Sequence, residues 1–205
     1  MKILKNISMD YKMNKINLTN GYHLEATPEK EVFDFIHANG ALLFDDDVFY
    51  LPDNYYTTIE KEKKEQLQSF FPNQLCFAYF IKKEEVTVGA FVCKGINSED
   101  FDMWITAILP EHRRKGIYKE ILKFAIEKAK ELGFQKITSQ HAATNNPVII
   151  AKLKAGFVIN GFEVNDKCGM MLTLIYFFNE LRMNMYEYRV GTKLPTDEMK
   201  NILEL

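Results

Sequence analysis

Apolar and polar positions run in two rhythms along the chain, and the places where the rhythm changes mark its elements. "GYHLEA" (21–26) has the alternation of a short strand, and "TPEKEVFDFIHANG" (27–40) follows with helical spacing. Thr27 is placed to cap that helix, Pro28 suits its first position, acids fill its first turn and Gly40 stops it. "ALLFDDDVFYLPDNYYTT" (41–58) is an irregular acidic and aromatic connection, and a charged helix over about 58–70 ends ahead of Pro72. "LCFAYFIK", "VTVGAFVCKG" and "DMWITAIL" are β-branched and aromatic runs separated by "KEE" and "INSED", the signature of consecutive antiparallel strands.

Beyond Leu109 the best helix of the chain begins: Ile117, Ile121, Leu122, Ala125, Ile126, Ala129 and Leu132 recur at helical spacing and Gly133 closes the pattern. "FQKITSQHAA" reads as a strand, "NNPVIIAKLKAG" as a shorter helix, and "FVINGFEV" with "MMLTLIYFF" as a final pair of strands. The tail from Asn179 reads as two helical pieces, and residues 1–20, rich in Lys and Asn, as a weakly specified extension. The order β-α-α-β-β-β-α-β-α-β-β implies a mixed α+β fold in one domain at 21–178, between an extension at 1–20 and a tail at 179–205.

Composition narrows this little: 205 residues, 47% hydrophobic, 13% aromatic and 26% charged describe an ordinary globular chain with no repeat or low-complexity segment. The formal charge of −2 provides no global field to gather nucleic acid or an anionic membrane, so any basic site must be local. Cys76, Cys93 and Cys168 lie far apart in apolar stretches without metal-ligand spacing, and read as small core residues in a reducing cytoplasm. No apolar run has the length of a secretory core or a bilayer span, and the Asn, Lys and Ile usage fits a bacterial chain.

The exception to this evenness is "LPEHRRKGIYKEIL" (109–122), where Arg113, Arg114 and Lys115 stand at the start of the best helix. A helix N-terminus already carries unpaired N–H groups and about half a positive charge, so three cations worsen the local field unless an anion occupies the turn. Gly116 lets phosphate oxygens approach the main chain. A solvated basic loop is the plain alternative for four residues taken alone, and it is the order strand, cationic Gly turn, helix that favours a pyrophosphate cradle. No Walker A or G-x-G-x-x-G sequence is present.

Here the chain resembles the GNAT superfamily of acetyl-CoA-dependent N-acetyltransferases. Its Q/R-x-x-G-x-G/A signature is similar to Arg113-Arg114-Lys115-Gly116-Ile117-Tyr118, with Tyr118 departing from the usual small residue, and "ILPEHR" looks like the strand end that leads into it. "NNPVIIAKLKAGF" resembles the N-x-x-A-x-x-L-Y-x-x-L-G-F segment, with Asn145, Gly156 and Phe157 in register. The resemblance implies a mostly antiparallel sheet flanked by helices, splayed between the fourth and fifth strands, with pantetheine in the opening. It further implies that backbone groups of Ile108 and Leu109 pair with the pantetheine amides. The N–H groups from Arg114 to Lys119 hold pyrophosphate beside Arg113, and Asn145 meets the cofactor arm or caps its helix. Acetyl-CoA is the implied cosubstrate, and no metal is called for.

The chemistry is less complete. The resemblance implies an oxyanion donor where the fourth strand bulges, for which Ile108 is the candidate, and a base at Asp102, whose plain alternative is a solvated strand end. Lys152 stands where many relatives have the Tyr that protonates the departing sulfur; a solvated lysine is the commoner reading there, and the general acid is unassigned. His141 is a pocket candidate beside a structural alternative, and His112 a surface flank of the turn. In the acidic connection Asp46 and Tyr50 are candidate acceptor contacts, because carboxylates and aromatic faces suit a cationic amine. The expected activity is acetyl transfer to a primary amine of a small molecule or peptide, in a ternary complex. A non-catalytic acyl-CoA sensor of the same fold is the alternative, and a nucleic-acid binder is disfavoured by so small a basic cluster. The oligomeric state is open, a homodimer being one option.

Overall fold

Eight strands form one sheet in the computed structural model, which describes residues 15–44, 56–68, 75–166 and 168–204. The strands are β1 (Lys15–Asn17), β2 (Tyr22–Ala26), β3 (Cys76–Lys83), β4 (Val86–Gly95), β5 (Asp100–Ile108), β6 (Lys136–Ala142), β7 (Val158–Asn165) and β8 (Gly169–Phe177). The helices are α1 (Glu29–Ala38), α2 (Gly40–Leu43), α3 (Thr58–Gln68), α4 (Ile117–Glu131), α5 (Asn146–Lys154), α6 (Glu180–Arg189) and α7 (Asp197–Leu203). The sheet order is β1-β2-β3-β4-β5-β6-β8-β7, antiparallel throughout except between β5 and β6. The mixed α+β class with a mostly antiparallel sheet is therefore the observed one. The sheet starts earlier than the residues 1–20 boundary implies: β1 pairs Ile16 with Leu24, so the strand "DMWITAIL" is the fifth and not the fourth.

Strand alternation builds the two faces. On β3, Phe77, Tyr79 and Ile81 point into a core made with Ile117, Ile121, Leu122, Ala125 and Ala129 of α4 and Ile149 of α5. Ala78 points the other way, joining Val32 and Ile36 of α1, Leu43 of α2 and Ala90, Val92 and Ala107. Cys93 is buried in the first core and Cys76 flanks the second; burial pushes the Cys76 thiol up to about 12, with Glu29 adding to the rise. Among the described residues no helix is long and apolar enough to cross a membrane.

Two local expectations are corrected. Thr27 does not cap α1: Pro28 occupies the N-cap position and the Thr27 hydroxyl donates to Glu31 Oε2 at 3.2 Å. Gly40 does not end the helical path either; the chain turns at Asn39 and Gly40 opens α2. The charged helix is better framed than expected, because Thr57 and Glu60 form a reciprocal capping box at 3.3 Å and 2.8 Å.

Two irregularities mark the corner where β5 and β6 part. Val92 pairs with Ile105 and Lys94 with Asp102, so Met103 and Trp104 together face Cys93 in a β-bulge. The parallel pairing of β5 and β6 stops at Asp102 and Thr138, yet β5 runs on to Ile108 and β6 to Ala142. At the point of parting the Met103 carbonyl accepts the Ser139 hydroxyl at 3.2 Å. An opening between the two strands is in keeping with this geometry.

Candidate functional site

The turn at 113–116 is built by two left-handed residues, Arg114 at φ 59° and Gly116 at φ 82°. Glycine takes this conformation freely and arginine does not, so the turn is held there by its surroundings. Asn20 donates to the Lys115 carbonyl at 3.2 Å, and the short helical turn at Thr19–Gly21 lies against Gly116. Arg113 N–H bonds the Pro110 carbonyl, and Lys119 N–H folds back to Gly116 O at 3.1 Å. Among the described residues no backbone or side-chain acceptor meets the N–H groups of Arg114, Lys115, Gly116, Ile117 or Tyr118. Five donors at the N-terminus of a helix of 15 residues make a concave anion site.

The three cations divide. Arg114 and Lys115 are exposed beside these donors. Arg113 turns away: Nε donates to Ile108 O at 2.9 Å, and Nη2 to Leu43 O at 2.9 Å and Leu42 O at 3.2 Å. It ties the end of β5 to α2. Tyr118 also points inward, packing its ring against the core with its hydroxyl buried and, among the described residues, without a partner. Burial raises that phenol, and it stays a neutral part of the wall. His112 bonds Tyr22 through Nδ1 at 2.9 Å with the rings edge to face, which makes it a structural flank.

The strand leading into the cradle presents an alternating set of main-chain groups. Leu109 N–H bonds Val88 O at 2.9 Å, so Gly89 and Ile108 are a non-hydrogen-bonded pair and the N–H and C=O of Ile108 face away from β4. Thr106, two residues back, faces the same way. Leu109 departs from the expectation: its N–H is committed to the sheet and its carbonyl to His112 N–H. The bulge lies at Met103–Trp104, upstream of Ile108. Asn145 is the residue before α5, but its side chain makes no capping bond.

Where the pairing of β5 and β6 stops stands a buried polar group of residues. Thr138 donates to Asp102 Oδ1 at 3.0 Å. Burial pushes the Asp102 carboxyl up, and the Thr138 hydroxyl, Lys94 and Lys152 pull it back. Ser139 uses its proton on Met103 O, so it accepts from His141 Nε2 at 2.8 Å and fixes a neutral imidazole with Nδ1 as acceptor. Burial, then the charge of Lys152, lowers His141 to about 3.

Lys152 is the residue the sequence reading misplaced. It is not solvated but 0% exposed, with Nζ 3.4 Å from Met103 Sδ and 4.4 Å from the Phe157 ring centre. Burial lowers it to about 7, against the pull of Asp102. Spacing could not have shown this, because Val148, Ile149, Ile150, Ala151 and Leu153 leave α5 without a single apolar face. On the other side of the bulge Trp104 is 43% exposed, flanked by Phe33 at 5.2 Å and covered by the Lys94 ammonium at 3.7 Å. Asp46 and Tyr50 lie outside the described residues.

The model of the acetyltransferase (GNAT) family matches residues 43–157. No curated protein sequence matches the chain significantly. Among solved structures, a GNAT family acetyltransferase from Elizabethkingia anophelis with acetyl-CoA bound is similar at TM-score 0.54 and 16% identity, over 78% of this chain and 100% of that one. Ard1 from Thermoplasma volcanium is similar at TM-score 0.55 and 15% identity, over 78% and 99%. Spermidine N-acetyltransferase from Vibrio cholerae, in complex with CoA and spermine, is similar at TM-score 0.54 and 18% identity, over 78% and 96%.

Proposed function

The chain belongs to the acetyltransferase (GNAT) family, and from that premise we propose that it transfers the acetyl group of acetyl-CoA to a primary amine of a small molecule or peptide. The observation that carries the reading is the row of five N–H groups from Arg114 to Tyr118 that no acceptor among the described residues meets, at a helix N-terminus and beside two exposed cations. A pyrophosphate satisfies those donors and neutralises Arg114 and Lys115 at once. The acyl donor supplies an activated thioester when bound. The outward-facing main-chain groups of Thr106 and the N–H of Ile108 are assigned to its arm, Ile108 N–H as the donor to the carbonyl oxygen while the Ile108 carbonyl stays with Arg113 Nε, and Asn145 is assigned to the arm from the side of β6.

Acetyl transfer requires the acceptor nitrogen to be uncharged at attack. Asp102 is proposed as the base: a carboxylate raised by burial takes a proton more readily than a solvated one. His141, neutral and with Nδ1 as acceptor, is proposed to orient the acceptor. On the acceptor side, two neighbours with CoA or acetyl-CoA share the fold, one of them holding spermine, which supports an amine without identifying it.

Calorimetry with acetyl-CoA tests the binding half, and thiol release across a panel of polyamines, aryl-alkylamines and peptide N-termini tests the chemical half. Micromolar binding with turnover of at least one amine above hydrolysis is the expected result. No binding by the folded protein would remove the reading, and binding without turnover of any amine would make the chain an acyl-CoA sensor.

A further inference from the structure

A buried ammonium ordinarily has carboxylate or carbonyl oxygens in contact, because an unpaired buried charge is strongly destabilising. Among the described residues Lys152 has none: its contacts are the Met103 thioether and the face of Phe157. Asp102 of β5 acts on it only through space and is bonded to Thr138; Lys94 of β4 stands opposite Asp102, and His141 of β6 is neutral. A methionine or leucine would fill this volume without that penalty. The position suits a charge that is needed only when another charge forms beside it. Met103 is where β5 and β6 part, and α5 brings Lys152 down onto it, at the closed end of the opening whose far end carries the anion cradle.

We infer that Lys152 is the proton donor to the sulfur that leaves as the acetyl group moves, an assignment that rests on the acetyl-CoA reading above. The lone pair of the acceptor nitrogen forms the new C–N bond while the C–S bond breaks, its electron pair remaining on sulfur. One ammonium proton of Lys152 passes to that sulfur and leaves a neutral amine. The proton shed by the acceptor nitrogen passes to Asp102 and on to solvent, and Lys152 regains one from solvent as products depart. A lysine held near 7 gives its proton downhill to a thiolate whose thiol lies near 8.5.

The test uses CoA, which needs no acceptor. CoA bound to the wild-type protein is expected to ionise its thiol about one pH unit or more below free CoA, followed by thiolate absorbance, because thiolate and Lys152 ammonium hold each other charged and titrate as a pair. In Lys152→Met and Lys152→Tyr the midpoint should return towards the free value while CoA affinity by calorimetry stays within about threefold. With a responsive amine, kcat should fall about 10²- to 10⁴-fold in Lys152→Met, recover in part in Lys152→Tyr, and stay low in Lys152→Arg, which keeps the charge but releases no proton. An unshifted thiol midpoint in wild type, or wild-type kcat in Lys152→Arg, would overturn the assignment and leave the acetyl-CoA reading intact. Failure of CoA to bind the wild-type protein would overturn both.

Discussion

At the scale of single residues, charge alone does not say what a side chain is for. Arg113, Arg114 and Lys115 are adjacent, yet Arg113 holds three carbonyls of β5 and α2 while the other two face solvent. Arg113→Ala removes bonds from an arginine to half-buried carbonyls and should lower stability by about 1–3 kcal/mol, visible as a shifted urea midpoint. Arg114→Glu should hold that midpoint or raise it slightly, because a carboxylate suits a helix N-terminus, and should weaken CoA at least tenfold, since it sets a negative charge against the phosphates. Calorimetry beside urea unfolding separates the two, and equal CoA affinity in Arg114→Glu would mean the cradle is misplaced. The cation cluster was legible in the sequence as a whole. Its division was not, because it depends on where α2 places the carbonyls of Leu42 and Leu43, a long-range fact.

At the scale of elements, periodicity was a good guide where one face is apolar and a poor one where packing overrode it. The helix α4 was legible through Ile117, Ile121, Ala125 and Ala129, all of them buried. In α5 the pattern misleads: Ile150 and Leu153 are 50% and 42% exposed while Lys152 is buried, so the polar residue faces the core and the apolar ones face solvent. Nothing in local propensity forces that rotation of the helix; Ile149 and the Gly156–Phe157 turn set it, with Phe157 locked beneath Tyr176 and Gly156 at φ 94°. The register of β4 on β5 was equally silent in the sequence, and it brings Gly89 close against the next strand. A Cβ on Gly89 would run into the Ala107 carbonyl and lie 3.1 Å from Ile108 Cα. Gly89→Ala should therefore cost about 1–3 kcal/mol by overpacking and lower Tm by roughly 2–4 °C per kcal/mol. It should also push Ile108 out of line and raise the KM for acetyl-CoA, whereas Gly161→Ala, with open space at the Cβ, should change KM little.

At the scale of the whole molecule, the buried lysine makes global stability a function of pH in a defined window. Lys152 titrates near 7 in the folded chain and at its ordinary 10.5 when unfolded. Between those values the unfolded chain binds a proton that the folded chain does not, so this group makes stability rise with pH from about 7 to 10.5 and leaves it level below 7. Asp102 slopes the other way, since a raised carboxyl keeps its proton longer in the folded chain, but its effect begins at 3.8 and ends once it ionises. The thiols of Cys76 and Cys93 oppose the rise above their ordinary 9.0, because burial keeps them protonated in the folded chain. A difference between two proteins that share the thiols cancels their effect, while Asp102, which loses the pull of Lys152 in the variant, contributes on the acid side. Lys152→Met should therefore be more stable than wild type by several kcal/mol at pH 7, with the gap narrowing by at most about 4 kcal/mol as pH rises to 10. Urea unfolding at pH 6, 7, 8, 9 and 10 measures the gap directly. A gap that stays constant across that range would mean Lys152 carries its ordinary charge in the folded protein, and the same result would remove the reason for its readiness to give up a proton at neutral pH.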